Sequence, residues 1–284
     1  MVSSITIRSR NVTYHMNPIR LICHLWNHHE LIWQFTRREV QGRYKGAFFG
    51  LMWALVQPLV LLLIYTFVFG VVLKSSWQGQ RSEGLDDVAV IIFCGLIAFN
   101  LFSECVSRAA TLIIEVPNYV KKVVFPVEVL PVSLLGSALF HALVSLGILL
   151  TVRVLLTQGT VHWTLLLLPL VALPLVFLSM ALAWFLAGLG VFIRDVHYAV
   201  GLLIQVLFFS TPILYSLRVV PEPFHSVIQW NPLTTVVYNF RGAILWGVAP
   251  DWTSWASWLM VTGFFMMLGY AWFMKTKSVF ADVI

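Results

Sequence analysis

Side chains able to carry out catalysis are sparse in this sequence and do not form a recognisable motif. The stretch HELIW, which begins at His29, has the first half of the zinc-protease pattern HExxH, but Trp33 stands where the second histidine ligand belongs. There is no GxxxxGK[ST] loop, so the chain does not bind and hydrolyse ATP by that route. Cys23, Cys94 and Cys105 have no CxxC or zinc-finger spacing, and we expect them to be buried free thiols. The sequence therefore predicts no catalytic, cofactor-binding or metal site in this chain.

One polar pattern lies inside an otherwise apolar run. Ser133, Ser137, His141 and Ser145 recur every fourth residue, and on a helix this spacing places them along one slanted ribbon. Such a ribbon can supply hydrogen bonds between packed helices, or it can line a path for a hydrophilic cargo. For His141 alone, a hydrogen-bonded packing role is favoured over a ligand role. The sequence leaves both interpretations of the ribbon open.

The composition indicates a membrane protein. Hydrophobic residues make up 60% of the 284 positions and charged residues only 11%, whereas soluble domains have about 25% charged residues. No charged residue occurs from Ala47 to Leu73, and about 20 apolar residues suffice for a helix to cross the hydrocarbon core. The N-terminus has no signal-peptide core, so we expect the first span to act as its own uncleaved insertion signal.

Six apolar runs predict six membrane-spanning helices. They are Ala47–Leu73, Val88–Ser103, Pro126–Val152, Trp163–Ile193, His197–Leu217 and Trp252–Met274. The second is expected to continue toward Ile114, with Glu104 and Arg108 forming an ion pair at i,i+4 spacing. The fourth is long enough to tilt, or to break at Pro169 and Pro174. The predicted fold is an all-α integral membrane protein.

The distribution of Lys and Arg predicts the orientation. With the N-terminus inside, the inner segments carry 13 of the 18 Lys and Arg residues and the outer segments carry five, as the positive-inside rule requires. Both termini are then cytoplasmic, and the expected location is a bacterial inner (plasma) membrane. The net charge of +6 is explained by this asymmetry and by contact with membrane lipids, so no nucleic-acid partner is implied.

The segments between the runs have patterns of their own. Residues 1–46 form the predicted cytoplasmic N-terminus, in which 17–45 has the spacing of an amphipathic helix at the membrane interface. Glu115 to Pro126 reads as a short amphipathic helix on the same side. On the other side, the apolar segment Arg218 to Asp251 is interrupted by four prolines and predicts two short re-entrant helices, broken at Asn231-Pro232.

Several blocks of the sequence resemble a known family. The stretch RREVQGRYKGAFFGLMWALVQP resembles the entry segment of type 2 ABC exporter permeases that move lipid-linked polysaccharides. The matching blocks that follow, in the same order, are NYVKKVVFPVEVLPVS, IRDVHYAVGLLIQVLFFSTPILYS, VVPEPF and WNPLTTVVYNFRGAI. The resemblance runs from about Leu31 to the C-terminus. Residues 47–284 are accordingly identified as a six-helix ABC-2 type transmembrane domain.

The resemblance implies a homodimeric channel with two separate ABC ATPase subunits, which would bind ATP and Mg²⁺. The cargo would be a polysaccharide on an undecaprenyl-diphosphate lipid, of the O-antigen, capsule or teichoic acid type. The residues expected at the ATPase-coupling face are Arg38, Glu39, Arg43, Tyr44, Lys45, Asn118, Tyr119, Lys121, Lys122, Arg194 and Asp195. The residues expected to line the channel or its gates, with the first and fifth spans, are Phe49, Trp53, Gln57, Tyr65, Gln205, Phe209, Tyr215, Asn231, Pro232, Tyr238 and Arg241.

Three alternatives follow from the sequence. A permease of the same architecture that exports a drug or a small lipid would have the same aromatic-rich walls. An integral membrane enzyme of glycolipid synthesis would need a cluster of acidic or histidine side chains at one membrane face, which the sequence does not supply. A purely structural subunit is hard to reconcile with the broken outer segment. We also expect the stretch from Arg37 to Gly50 to be a hinge between the interface helix and the first span.

Overall fold

The computed structural model describes residues 18–73, 85–121, 125–156 and 161–284, and these ranges are helical without any strand. The α-helices are α1 (Pro18–Asn27), α2 (His29–Arg43), α3 (Trp53–Tyr65), α4 (Leu85–Ala109), α5 (Pro117–Val120), α6 (Val129–Leu156), α7 (Leu168–Val171), α8 (Leu173–Phe192), α9 (Val196–Ser210), α10 (Glu222–Gln229), α11 (Pro232–Arg241), α12 (Trp252–Thr276) and α13 (Phe280–Val283). Shorter 3₁₀ turns lie at Gly50–Met52, Trp163–Leu167, Leu217–Val219 and Lys277–Val279, and π-helical turns at Thr66–Val72 and Gly242–Trp246.

Within the described ranges, five helical segments are long and apolar enough to cross a membrane. They are Gly50–Val72, Val88–Ala109, Val129–Leu155, Trp163–Phe192 and Trp252–Val283. Each coincides with one of the predicted runs. In the fourth, the chain turns at Ala172 between α7 and α8, and a proline occupies the first turn of each of these two helices. This interruption lies between Pro169 and Pro174, where a break is one of the two predicted possibilities, and Trp163–Phe192 still forms one span-length segment.

The fifth predicted run forms a shorter helix than expected. α9 has 15 residues and ends at Ser210, although the apolar run continues to Leu217. Pro212 explains the early end, because a proline disfavours the helical conformation in the residue before it, and Thr211 is extended with ψ of 133°. The prediction of six crossings is left as a prediction, since α9 by itself is shorter than the about 20 residues that a span requires.

α4 lies at the centre of the bundle. In the 18-residue apolar stretch of α4, 83% of the residues are buried. The corresponding share in the first span, Gly50–Val72, is 11%. Two glycines permit the closest helix contacts around this centre: a Cβ at Gly190 of α8 would lie 1.9 Å from the carbonyl oxygen of Ala110, and one at Gly269 of α12 would lie 2.3 Å from that of Ala181. The bundle is therefore tight around α4 and α8, and the first span is its loosely packed member.

The two ends of the bundle differ in what they contain. At the end that we call the near end, the carboxylate of Glu128, just before α6, contacts both His24 of α1 and Lys277, just after α12. The N-terminal helices and the end of the last span thus lie together. The opposite, far end contains the C-terminal end of α6, the start of the fourth span and the π-helical turn after α11, which are joined by hydrogen bonds from Arg153 and Thr164.

The predicted interface helix is present as two helices, α1 and α2, separated by a turn at His28. Leu21, Phe35 and Val40 of this pair are buried against the bundle. Other large apolar side chains remain exposed, namely Ile19, Ile22, Trp26 and Trp33. The pair therefore has an apolar side against the protein and a second apolar side directed away from it, as a helix at a membrane interface requires.

Two buried arginines supply hydrogen bonds where the helices of the far end are broken. Arg241, at the end of α11, is fully buried and donates to the backbone carbonyls of Ile91, Pro212 and Ile213. Arg153, at the end of α6, donates to the carbonyls of the π-helical turn that follows α11. A carbonyl without a donor is costly in a dry interior. These side chains thus allow irregular backbone to exist at this depth.

We expect Arg241→Met to destabilise the protein, because it removes the donor to the carbonyls of Pro212 and Ile213, which lie beyond the end of α9, at a cost of about 1–3 kcal/mol for each desolvated group. The midpoint of thermal unfolding in detergent should fall by at least about 5 °C. Arg218→Met is the matched control, since Arg218 is exposed at the same end. Equal melting temperatures for the two variants would show that Arg241 does not hold the far end together.

Candidate functional site

A polar cavity lies between the first span and the rest of the bundle, in the half toward the near end. Its volume is about 870 Å³, and α2, α3, α4 and α6 form its walls, with Ile204 of α9. Its polar lining consists of Arg38, Glu39, Arg43, Tyr44, Gln57, Asn100, Ser103, Glu104, Ser107, Arg108, His141 and Ser145. Apolar side chains of the first span, such as Leu61, close it on one side. Charges and amides on this scale inside an apolar bundle mark a functional-site candidate.

The centre of this cavity is a cluster around Glu104 of α4. Its carboxylate lies 2.7 Å from the guanidinium of Arg43 and accepts a hydrogen bond from Nδ1 of His141 at 2.9 Å. The other ring nitrogen of His141 lies 3.1 Å from the hydroxyl of Tyr44. Burial raises the pKa of Tyr44 above its usual value of about 10, against the opposing effect of Arg43. The hydroxyl of Tyr44 is therefore protonated at neutral pH and is available as a donor.

The predicted ion pair between Glu104 and Arg108 is wrong. Glu104 pairs with Arg43, and Arg108 donates to the carboxylate of Glu39 at 2.5 Å. Both new partners belong to α2, which lies across the side of α4. The i,i+4 spacing placed the two α4 residues on one face correctly, but side chains from a packed neighbouring helix satisfy them instead.

The predicted polar ribbon on α6 divides into two parts. Ser133 and Ser137 are fully buried, and the carbonyl of Ser133 accepts a hydrogen bond from Thr36 of α2. His141 and Ser145, further along the helix, line the cavity. The first half of the ribbon thus serves helix packing at the near end, and the second half lines a polar cavity; that a cargo passes along it stays a prediction.

The predicted coupling residues lie at the near end, apart from Lys122, which is outside the described residues. Arg38 donates to the hydroxyl of Tyr119 at 3.0 Å, and its guanidinium lies 4.3 Å from the centre of the Phe35 ring. Glu39, Arg43 and Tyr44 line the cavity. The remaining predicted members are exposed, namely Lys45, Asn118, Lys121, Arg194 and Asp195. The structure therefore connects the 115–121 segment to α2 through Arg38 and Tyr119.

The predicted channel and gate residues fall into three groups. Gln57 lines the cavity, and Phe49, Trp53, Gln205 and Phe209 are exposed on the surface of the single chain. Tyr215 donates to the carbonyl of Phe209 at the end of α9, and Asn231 and Tyr238 join the broken segment to Thr211 and Leu217 before it. Tyr65 and Pro232 are partly buried. Arg241 is fully buried and bonds backbone carbonyls, so its side chain does not line the cavity, and its place in a gate stays a prediction.

Sequence reasoning missed a second charged cluster at the near end. Glu128 is 2% exposed and contacts His24 and Lys277 at 2.8 and 2.5 Å. Burial alone would raise the pKa of Glu128, but Lys277, a backbone hydrogen bond and His24 together outweigh it and hold this pKa below the usual value. The only sequence signal was a single acidic residue at the start of an apolar run. The prediction for Cys23 is also wrong, since this thiol is exposed, whereas Cys94 and Cys105 are buried as expected.

Comparison with known proteins places these features in a family. The family model described as ABC-2 type transporter matches residues 30–245. The O-antigen export system permease protein RfbA of Klebsiella pneumoniae is 27% identical over 257 residues, which are 90% of this chain and 95% of that protein. The protein of the same name from Myxococcus xanthus is 28% identical over 82% of this chain and 87% of its own. The polysialic acid transport protein KpsM of Escherichia coli is 24% identical over 74% and 79%.

We expect Glu128→Gln to make stability less dependent on pH. The pKa of Glu128 is lowered in the folded chain, so its contribution is fully present above the unfolded value of about 4.3 and is lost as pH falls through the folded value. At pH 7 the wild type should be more stable by about 1–3 kcal/mol. This difference should shrink below about pH 4. The measurement is thermal unfolding in detergent across this range, with Glu222→Gln as the exposed control. A difference independent of pH would contradict the pairing.

Proposed function

The chain belongs to the ABC-2 type transporter family, and from this premise we propose that it is the channel-forming permease subunit of an ATP-driven polysaccharide exporter. The observation that carries the proposal is similarity along nearly the whole chain to permeases of O-antigen export. A relative named for polysialic acid transport supports the same class of cargo. The permease is not itself an enzyme. Its role is to form the path for the cargo and to change the shape of that path during transport.

Energy for export comes from a partner in this proposal. The sequence has no phosphate-binding loop, so two separate ABC ATPase subunits would bind ATP and Mg²⁺ and dock at the near end. The exposed residues Lys45, Asn118, Lys121, Arg194 and Asp195, with the Arg38–Tyr119 contact, are the candidate docking and coupling surface. Its basic and polar character suits a soluble subunit beneath the membrane. Residue 122 is a further candidate by its sequence position.

The cargo that we propose is a glycan linked to undecaprenyl diphosphate, moved through a channel between two copies of this chain. Large apolar and aromatic side chains of the first span and of α9 are exposed in the single chain, among them Leu63, Phe67, Leu202 and Phe209. A second copy would cover part of this surface, and the remaining aromatic rings would offer faces to sugars. The cavity beside Gln57 would open onto this path from the near end.

We further propose six crossings with both termini cytoplasmic, in the bacterial inner membrane. The contact of Glu128 with both His24 and Lys277 supports this, because it places the first and the last helices at one end and so requires an even number of crossings. The fifth crossing would consist of α9 and the extended residues after it. α10 and α11 would then re-enter the outer half of the membrane and form the far gate, with their break at Asn231-Pro232.

The decisive experiment is reconstitution in liposomes of the permease with its ATPase, followed by addition of a lipid-linked glycan. We expect ATP-dependent appearance of the glycan on the opposite side, and none with an ATPase that cannot hydrolyse ATP. A stable complex that hydrolyses ATP and leaves the glycan in place would point to a drug or small-lipid exporter. Failure to form a complex, together with glycolipid synthesis by the permease alone, would replace the proposal with an enzyme.

Two glycines allow a test of the hinge between α2 and the first span. A Cβ added at either Gly42 or Gly46 would meet nothing within 4 Å, but only Gly46 has a left-handed backbone, with φ of +87°. Gly46→Ala therefore strains the linker by about 1–2 kcal/mol without any steric collision. We expect it to reduce export several-fold at normal membrane insertion, while Gly42→Ala leaves export unchanged. Equal export by both variants would show that the linker conformation is not needed.

A further inference from the structure

A set of charged contacts fixes α2 to the centre of the bundle, and we call this set the clasp. It consists of the Glu39–Arg108 pair and the cluster of Arg43 and Glu104 with His141. We propose that the clasp transmits force: it makes α2, α4 and α6 move as one body, while the first span moves relative to them. This inference rests on the proposed function, in which an ATPase acts on the near end.

The clasp is strong because its acidic groups are removed from water. The side chains of Glu39, Glu104 and His141 are only 15%, 12% and 15% exposed. The partner arginines, Arg43 and Arg108, are each 36% exposed. Ion pairs on an open surface contribute little, but separating these pairs leaves a largely buried carboxylate without its partner. Sliding α2 along α4 would break two such pairs together. The contacts therefore resist relative motion of these helices.

Packing between α2 and α6 adds a steric constraint to the ionic one. A Cβ built at Gly136 of α6 would lie 2.6 Å from the hydroxyl of Thr36 and 3.3 Å from its Cβ. The same hydroxyl donates to the carbonyl of Ser133 at 3.4 Å. The two helices thus touch through a small residue, with no space between them. Two helices packed in this way move as a unit, because sliding one along the other would bring their side chains into steric collision.

The first span lacks comparable attachment. It follows a linker that contains two left-handed glycines, Gly46 and Gly50, and a side chain added at either would meet nothing within 4 Å. Only 11% of the residues in its 18-residue apolar stretch are buried. The cavity of about 870 Å³ lies between it and the body formed by α2, α4 and α6. If α2 is displaced together with α4 and α6, the first span need not follow, because only a linker with two left-handed glycines joins it to α2. The width of the cavity between them would therefore change.

Charge exchange tests whether the ion pairs carry the force. Glu39→Arg and Arg108→Glu should each reduce glycan transport per ATP hydrolysed by at least about tenfold, and the double exchange should restore most of it. Glu30→Arg is the matched control, since Glu30 is an exposed residue of α2 outside the clasp. Membrane insertion should stay near the wild-type level in every variant, and Glu30→Arg should keep wild-type transport per ATP hydrolysed. Normal coupling in both single variants, or loss that the exchange does not restore, would overturn the clasp.

A reversible cross-link tests whether α2 and α6 move together. The Cβ separation of 3.3 Å between positions 36 and 136 is close to the range of about 3.5–4.5 Å that disulfides require. Thr36→Cys with Gly136→Cys, in a Cys23→Ser background, should therefore oxidise readily. Transport should be equal before and after oxidation, because the helices already move as one body. Loss of transport on oxidation that a reductant reverses would contradict the proposal.

Distance measurements separate failure of the clasp from failure of the proposed function. Spin labels on exposed residues, in one copy of the permease, would report α2–α6 distances from the Gln34–Leu143 pair and α2–first span distances from the Gln34–Leu63 pair. On ATP binding by the partner, the first distance should stay constant and the second should change. The same distances test the clasp even if the wild-type complex transports no glycan. That result would overturn only the proposed cargo. A change in the first distance would overturn the clasp.

Discussion

Every backbone N–H and C=O group in an apolar surrounding needs a hydrogen-bond partner. The way in which this chain supplies those partners determines its architecture. Through most of the bundle the helices meet it themselves. At the far end, where prolines and π-helical turns interrupt them, Arg153 and Arg241 supply the missing donors. The guanidinium group suits this role because it offers five donors in a fixed arrangement. The broken outer segment can thus be apolar, irregular and well ordered together.

Charge is handled differently at the near end. There the acidic residues Glu39, Glu104 and Glu128 each find a basic partner on a different element. Because the partners are distant in sequence, each pair is also a tertiary connection, and together they bind the N-terminal helices, α4, the start of α6 and the end of the last span. A buried pair does not guarantee stability, but it makes the arrangement specific, since a displaced helix would expose unpaired charges to an apolar surrounding.

The uneven packing of the bundle gives these connections a functional meaning. α4 is almost enclosed and α8 meets α12 through contacts that only glycine allows, whereas the first span leans on the bundle beside a polar cavity. A transporter that alternates between states needs rigid parts to carry force and a compliant part to change shape. In this chain the rigid parts are those with buried charges and small residues at their contacts, and the compliant part follows two left-handed glycines.

Much of this protein is determined by its sequence alone. Apolar runs of sufficient length predict the membrane helices, and blocks of residues in a fixed order indicate the family. Pro169 and Pro174 mark where the fourth span is interrupted, at Ala172. The tertiary structure decided the partners. Glu104 and Arg108 have ideal spacing for each other, yet α2 provides each with a different partner. Arg241 is predicted to line the channel or a gate, yet its side chain is buried and donates to backbone carbonyls, two of them beyond the end of α9. Periodicity reports which face of a helix a residue occupies, but only packing brings the second helix that completes the contact.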